Sequence, residues 1–324
     1  MKAVMCKGFG PPESLVVETL PDPTPGKGEV VVDVSFIGLN FFDTLIIQNK
    51  YQLKPALPFS PASEFAGRVS ALGEGVSELK VGDRVCGSLG YGAARTKIVA
   101  KPDQLYPIPD GLSDEKAAGL IITYGTSHHA LKQRAKLKAG ETLAVLGASG
   151  GVGIAAVELG ALMGARVIAC ASSPDKIDFA KRHGAAEGVD YSKTDLKDEL
   201  KRLTGGKGVQ VIYDPVGGDF AEAALRAIAW EGRFLVIGFA AGAIPKMPLN
   251  LALLKGCDIL GVFWGAWTQA DPAAHRENMG ELLAWARDGK LKAHTHAIVP
   301  LENVAEALNI LVRREAQGKV LLKA

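Results

Sequence analysis

Thr142-Leu143-Ala144-Val145-Leu146-Gly147-Ala148-Ser149-Gly150-Gly151-Val152-Gly153-Ile154-Ala155-Ala156-Val157 is the stretch that decides the fold. An uncharged apolar run leads into a glycine-rich turn and straight on into a second apolar segment, the pattern of a buried strand, a tight turn and a helix. Against the dinucleotide-binding pattern G-x-G-x-x-G it reads Ala148-x-Gly150-x-x-Gly153, with alanine in the first place. A bare Gly150 lets the backbone approach a pyrophosphate, and a bare Gly153 lets the helix close on the strand. The helix N-terminus adds free N–H groups and the positive end of its dipole. Ala148, Ser149, Gly150, Gly151, Val152 and Gly153 are therefore the candidate cofactor-binding turn. A purely structural glycine turn is the competing reading.

Outward from this turn, strands and helices alternate. Arg166–Cys170 feeds Pro174–His183, Val209–Tyr213 feeds Asp219–Ala229, and Phe234–Ile237 is a further strand. That rhythm predicts βαβ units and a parallel sheet. Ser113 and Ser173 are placed to cap helices, the latter ahead of a proline at the first helical position. Before residue 115 the pattern is different: Glu29–Ser35, Phe65–Ala71, Asp83–Cys86 and Arg95–Val99 read as strands between Pro/Gly turns, with one helix at Phe41–Asn49. This half predicts a mostly antiparallel β domain. After residue 270 come a helix at Pro272–Asp288, a strand near Ala297–Val299, a helix at Leu301–Arg314 and a strand at Lys319–Leu322. By pattern alone these could extend the parallel sheet or return to the first domain.

Cofactor choice sits at the end of the second strand, Ala169-Cys170-Ala171-Ser172-Ser173. An NAD site usually carries an acid here for the ribose 2′-hydroxyl. This chain has Ala171, two serines and then Lys176, a set that accommodates a 2′-phosphate. Asp175 is close by, but helix capping explains it. The expected cofactor is NADPH.

Composition excludes several classes. The 324 residues hold 37 basic and 35 acidic side chains for a net charge of +2, without the basic excess of a general nucleic-acid binder. No run is long and apolar enough to span a bilayer, and no signal peptide is visible, so no membrane partner and a cytoplasmic location are expected. Cys6, Cys86, Cys170 and Cys257 are far apart with no CxxC, as reduced thiols would be.

At the level of the whole chain, the sequence resembles the medium-chain dehydrogenase/reductase superfamily, and within it the zinc-free NADPH:quinone oxidoreductases (the ζ-crystallin-like branch). The resemblance rests on Gly38-Leu39-Asn40-Phe41-Phe42-Asp43-Thr44, Pro61-Ala62-Ser63-Glu64-Phe65-Ala66-Gly67, Val81-Gly82-Asp83-Arg84-Val85, the Ala148–Gly153 turn and Asp214-Pro215-Val216-Gly217-Gly218. In the zinc-dependent relatives a cysteine ligand falls on Asn40 and a histidine ligand on Ser63, so neither ligand is present here. No cysteine-rich lobe follows Cys86, and the His128-His129 and His294-x-His296 pairs lack further ligands. The expectation is an enzyme without metal.

The resemblance implies an α/β fold. A GroES-like, mostly antiparallel β catalytic domain would span 1–120 and 265–324, and a Rossmann, doubly wound parallel-sheet domain binding NADPH would span 121–264. It implies that Asn40 and Tyr51 line the nicotinamide and substrate cleft, and that Thr126 lies near the nicotinamide ribose. Ser172, Lys176 and Tyr191 would contact the 2′-phosphate, while Gly238, Phe239, Phe263, Trp264 and Gly265 would cover the nicotinamide. It also implies a homodimer through edge strands near Ile259–Phe263. Plain structural readings stand beside these: Tyr51 packing under the loop before Pro55, Trp264 and Trp267 as core or dimer anchors, and Tyr191 as a surface aromatic. Glu64 reads as structural. No obligate general acid stands out, which leaves solvent as the proton source.

Without a metal to stabilise an alkoxide, the feasible acceptor is one already electrophilic. The implied activity is hydride transfer from NADPH to a quinone or an α,β-unsaturated carbonyl. The alternatives are an enoyl-thioester (enoyl-CoA-type) reductase and a non-catalytic NADPH-binding sensor or structural protein.

Overall fold

The computed structural model describes residues 1–324. Its strands in chain order are β1 (Lys2–Met5), β2 (Val16–Thr19), β3 (Val30–Leu39), β4 (Glu64–Leu72), β5 (Arg84–Ser88), β6 (Lys97–Ala100), β7 (Leu105–Pro107), β8 (Thr142–Leu146), β9 (Arg166–Ala171), β10 (Glu187–Asp190), β11 (Val209–Asp214), β12 (Ile228–Val236), β13 (Asp258–Gly261), β14 (Thr295–Pro300) and β15 (Lys319–Lys323). Two units divide the chain. The first comprises 1–122, 281–289 and 293–324; the second comprises 123–280 and 290–292.

In the first unit, a seven-stranded sheet runs β14-β15-β3-β4-β5-β7, with β6 also pairing to β3. Every pairing is antiparallel except that of β14 with β15. β3 buries Val30, Val31, Val32 and Val34, leaves Asp33 exposed and carries the longest ladder, to β4. Val32, Ile37, Leu39, Phe65, Val85 and Leu322 are among the side chains that form its core. The closing strand β15 is inserted between β14 and β3, which answers where the tail goes: it completes the first sheet.

The second unit is a six-stranded, all-parallel sheet in the order β10-β9-β8-β11-β12-β13. Counted within the unit this is 3-2-1-4-5-6, the dinucleotide-binding arrangement, whose order reverses beside β8. β8 is buried along its whole length, as a central parallel strand must be. Ser173 caps its helix as expected, its Oγ accepting from the Lys176 N–H at 3.4 Å, and Ser113 does the same for the Lys116 N–H at 3.3 Å.

Three details differ from the sequence reading. The helix after β11 ends at Arg226, not Ala229, because Ile228 already pairs with Val209. β12 then breaks register before Arg233, with Glu231 at φ +55°. The helix at Phe41 stops at Ile46, and Asn49 turns the chain at φ +58°. Residues 265–280, which the resemblance groups with the first domain, pack with the second unit. Trp267 stacks on His129 with ring centroids 4.0 Å apart, and Trp264 meets His275 edge-on at 5.3 Å.

Candidate functional site

In the second unit the turn after β8 is built by backbone geometry. Gly147 sits at φ +58°, in the left-handed region that favours glycine. The Ala148 N–H donates to the Cys170 carbonyl at 3.2 Å and the Gly150 N–H to the Gly147 carbonyl at 3.0 Å. The helix Gly151–Leu162 then starts with no side-chain cap, so the N–H groups of its first turn have no side-chain acceptor. The two motif glycines have different reasons to be bare. A Cβ on Gly153 would lie 2.1 Å from the Gly147 oxygen and 3.0 Å from the Ala148 Cα, so the protein's own packing forbids it. A Cβ on Gly150 would meet only the Gly147 oxygen, at an ordinary 3.6 Å. Nothing inside the protein requires Gly150 to be glycine. The uncapped helix end beside it has the polarity that suits an anion.

Beyond β9, Ala171 is buried and its carbonyl accepts from the Tyr191 N–H at 3.1 Å. Ser172 is exposed, and the Lys176 Nζ donates to its Oγ at 3.3 Å. Tyr191 is half-buried against Phe220, with ring centroids 4.4 Å apart. Ser172, Lys176 and Tyr191 thus gather at the C-terminal ends of β9 and β10, with no acid in the position an NAD site uses. Asp175 is exposed in the first helical turn.

The loop after β11 is pinned by Asp214, whose Oδ1 accepts from the Val216 and Gly217 N–H groups, both at 2.8 Å. Burial raises the Asp214 carboxyl pKa despite these bonds. Phe239 lies across this loop, 2.9 Å from where a Gly217 Cβ would be, and Gly238 beside it is half-buried. Trp264 packs on Gly125, the neighbour of half-buried Thr126, whereas Phe263 and Gly265 are exposed. Both Trp264 and Trp267 are therefore anchored within their own unit.

The first unit holds a buried polar cluster that only partly emerged from the sequence. Asn40 ends β3 and precedes the helix Phe41–Ile46; its N–H donates to Asp43 Oδ2 at 2.7 Å. Its Nδ2 donates to Glu64 Oε1 at 2.9 Å, and its Oδ1 accepts from the Lys319 Nζ at 2.6 Å. Lys319 also donates to Glu64 Oε1. The second Glu64 oxygen accepts from the Ile122 N–H at 2.9 Å. Two glycines make the room: a Cβ on Gly38 would fall 2.7 Å from Glu64 Cγ, and one on Gly119 would fall 2.8 Å from Lys319 Cγ.

Asp43 completes the group. Its Oδ1 is buried without a hydrogen-bond partner, and burial pushes its carboxyl up to about 7, against the pull of the Asn40 N–H and the Lys319 ammonium. Tyr51 stacks on Phe42 with centroids 5.3 Å apart and packs on the first core. Burial, and then the Asp43 charge, raise its phenol pKa.

Sequence reasoning singled out Asn40 as a candidate and did not single out Lys319 or Asp43, which the structure brings into the same cluster. The available signal was a lysine opening the otherwise apolar strand Val320-Leu321-Leu322, and an acid three residues after Asn40. No group of three or more His, Cys, Asp or Glu side chains is arranged to hold a metal ion. With Asn40 and Ser63 in the ligand positions, the donor set does not suit zinc.

Comparison with known families agrees with this architecture. Residues 26–110 match the alcohol dehydrogenase GroES-like domain, and residues 151–285 match the family described as zinc-binding dehydrogenase. The chain belongs to the medium-chain dehydrogenase/reductase superfamily of oxidoreductases, with a GroES-like β domain and a Rossmann domain. Within it the chain groups with the quinone oxidoreductase-like proteins of the zinc-free branch. It is 40% identical to quinone oxidoreductase-like protein 2 of Rattus norvegicus over 99% of this chain and 91% of that protein. It is 32% identical to a quinone oxidoreductase of Pseudomonas aeruginosa over 99% of both. The crystal structure of Escherichia coli quinone oxidoreductase complexed with NADPH superposes with a TM-score of 0.94, at 29% identity over 100% of both chains.

Proposed function

We propose that this protein is a zinc-independent oxidoreductase that transfers a hydride from NADPH to a quinone or an α,β-unsaturated carbonyl. The observation that carries the reading is the contrast between the two motif glycines: Gly153 is bare for the protein, and Gly150 is bare for something that binds it. The pyrophosphate would lie over Ala148–Gly153 on the helix N-terminus, and the 2′-phosphate on Ser172, Lys176 and Tyr191. Thr126, Gly238, Phe239, Phe263, Trp264 and Gly265 would surround the nicotinamide. The bound cofactor supplies the hydride.

On this reading the first unit, built on 1–120 and the C-terminal strands, is the catalytic domain. Asn40 would donate from Nδ2 to the acceptor's oxygen, and Tyr51 would bound the acceptor's site. A conjugated acceptor spreads the incoming charge, so the chain needs to orient it and exclude water rather than supply a Lewis acid. The same reading includes a homodimer formed across β13, which ends its sheet with a free edge. Trp230, Leu249, Leu253 and Leu254 are exposed on the elements just before that strand. Four unpaired, buried cysteines favour a cytoplasmic location.

The test is oxidation of NADPH and NADH, followed by nicotinamide absorbance, with p-benzoquinone, phenanthrenequinone, a simple enone and crotonyl-CoA, with and without EDTA. NADPH-selective, EDTA-insensitive turnover of a quinone or enone is expected. A strong preference for crotonyl-CoA would replace the reading with a thioester reductase. Tight NADPH binding with no turnover would replace it with a binding protein.

A further inference from the structure

We propose that Lys319 is a positioning residue for the reduction: held on Glu64, it fixes the Asn40 carboxamide so that one Nδ2 hydrogen stays available to the acceptor's oxygen. The inference rests on the reading above, in which Asn40 faces the acceptor.

An asparagine amide can sit in two orientations related by a flip. Here both ends are committed, Oδ1 to the Lys319 ammonium at 2.6 Å and Nδ2 to Glu64 Oε1 at 2.9 Å. Flipping the amide would turn Nδ2 towards an ammonium that has no acceptor to offer, and Oδ1 towards a carboxylate that has no hydrogen to give. The charged pair therefore selects one orientation, and it does so in a buried place where such contacts are strong. Of the two Nδ2 hydrogens, Glu64 takes one. The other projects away from Glu64 at the trigonal angle. Asn40 keeps 7% of its surface exposed and Glu64 none, so of the two residues only Asn40 is open to solvent at all.

The space for this arrangement is built in. Gly38 and Gly119 are bare where the stems of Glu64 and Lys319 pass, and the Lys319 N–H is tied to the His294 carbonyl at 2.9 Å, which fixes the start of the side chain. As the hydride forms its new C–H bond on the acceptor, an acceptor π pair moves onto the carbonyl oxygen. A donor already aimed at that oxygen stabilises the charge without reorganising, and a solvent proton then neutralises it. The Lys319 charge on Oδ1 also polarises the amide, which strengthens Nδ2 as a donor.

The experiment compares kcat and the NADPH KM of Lys319→Met, Lys319→Arg, Asn40→Ala and the Lys319→Met/Asn40→Ala double variant, using the best acceptor of the wild type. Lys319→Met is expected to lower kcat by about a hundredfold, the scale of losing one oxyanion donor, with the NADPH KM unchanged. Lys319→Arg should restore part of the loss. In the Asn40→Ala background, Lys319→Met should cause no further fall in kcat. Independent, multiplying losses would overturn the proposal, as would an unchanged kcat. If Lys319→Met fails to fold, Glu64→Gln/Lys319→Met, which leaves no unpaired Glu64 carboxylate, takes its place with the same criteria. Wild-type protein that turns over no quinone or enone would overturn the functional reading and this proposal with it; active wild type with additive losses overturns the proposal alone.

Discussion

Gly150→Ala and Gly153→Ala are the same chemical change three residues apart, and the structure assigns them opposite consequences. At Gly153 the new methyl would stand 2.1 Å from a backbone oxygen and 2.9 Å from the Gly147 carbonyl carbon. Both obstacles are backbone, so the turn itself must move, and overpacking of this kind costs about 3 kcal/mol or more. For a domain of this size that lowers the melting temperature by roughly 6–12 °C. At Gly150 the methyl has only ordinary contact at 3.6 Å, and the backbone, at φ −72° and ψ 171°, suits alanine. The lost cap preference and the gained chain stiffness each amount to a few tenths to about 1 kcal/mol with opposite sign, so the apo protein should melt within about 2 °C of wild type. Binding is where Gly150→Ala should show. NADPH at a hundred times its wild-type Kd raises stability by about 2.7 kcal/mol; a tenfold weaker variant gains only about 1.4. Thermal melts with and without NADPH, paired with a fluorescence titration, measure both quantities. If Gly150→Ala folds normally and binds NADPH as tightly as wild type, the turn is not the pyrophosphate cradle and the argument fails.

Three further outcomes follow from other parts of the molecule. Asp43 is raised in the folded state, to about 7, so its contribution to stability is complete below the unfolded carboxylate pKa of about 4 and is lost as pH rises through about 7. Urea melts between these limits should therefore fall more steeply for wild type than for Asp43→Asn, and parallel curves would refute the assignment. Lys176→Ala should raise the NADPH KM about tenfold and leave the NADH KM alone, because its ammonium lies with Ser172 Oγ at the end of β9; equal effects on both cofactors would count against a 2′-phosphate site. Sedimentation should find a dimer, and Leu253→Lys with Trp230→Ser, both at exposed positions, should shift it towards monomer at unchanged circular dichroism; a monomeric wild type would remove the edge-strand model.

Much of this architecture is visible in the residues because it is local. The uncharged run Leu143–Leu146, the glycines after it and the alternation that follows need only short-range patterns, and β8, β9, β11 and the second half of β12 emerged from them, whereas β13 was expected only from the resemblance. β10, Glu187–Asp190, is a four-residue strand containing a glycine and two acids, and only its pairing with β9 makes it a strand. The irregular first half of β12 escaped for a related reason: Ile228 joins the sheet through Val209, and no periodicity in Trp230-Glu231-Gly232 announces the break. The site divides in the same way. The glycine turn after β8 is contiguous and legible. The cluster around Asn40 joins residues 24 and 279 positions away, and a pairing so distant leaves no spacing to read. Lys319 carried no signal of burial in the sequence, and its stem passes where Gly119 has no side chain.

The insertion of β15 between β14 and β3 has a consequence for synthesis. The second unit is almost one continuous stretch, residues 123–280, and its sheet can close as soon as that stretch has left the ribosome. The first sheet cannot: an interior rung is missing until residues 319–323 appear, long after β3 has been made. Until then β3 offers an open apolar margin, and Glu64 has no ammonium beside it. The later module can therefore close before the earlier one, whose sheet waits for the tail.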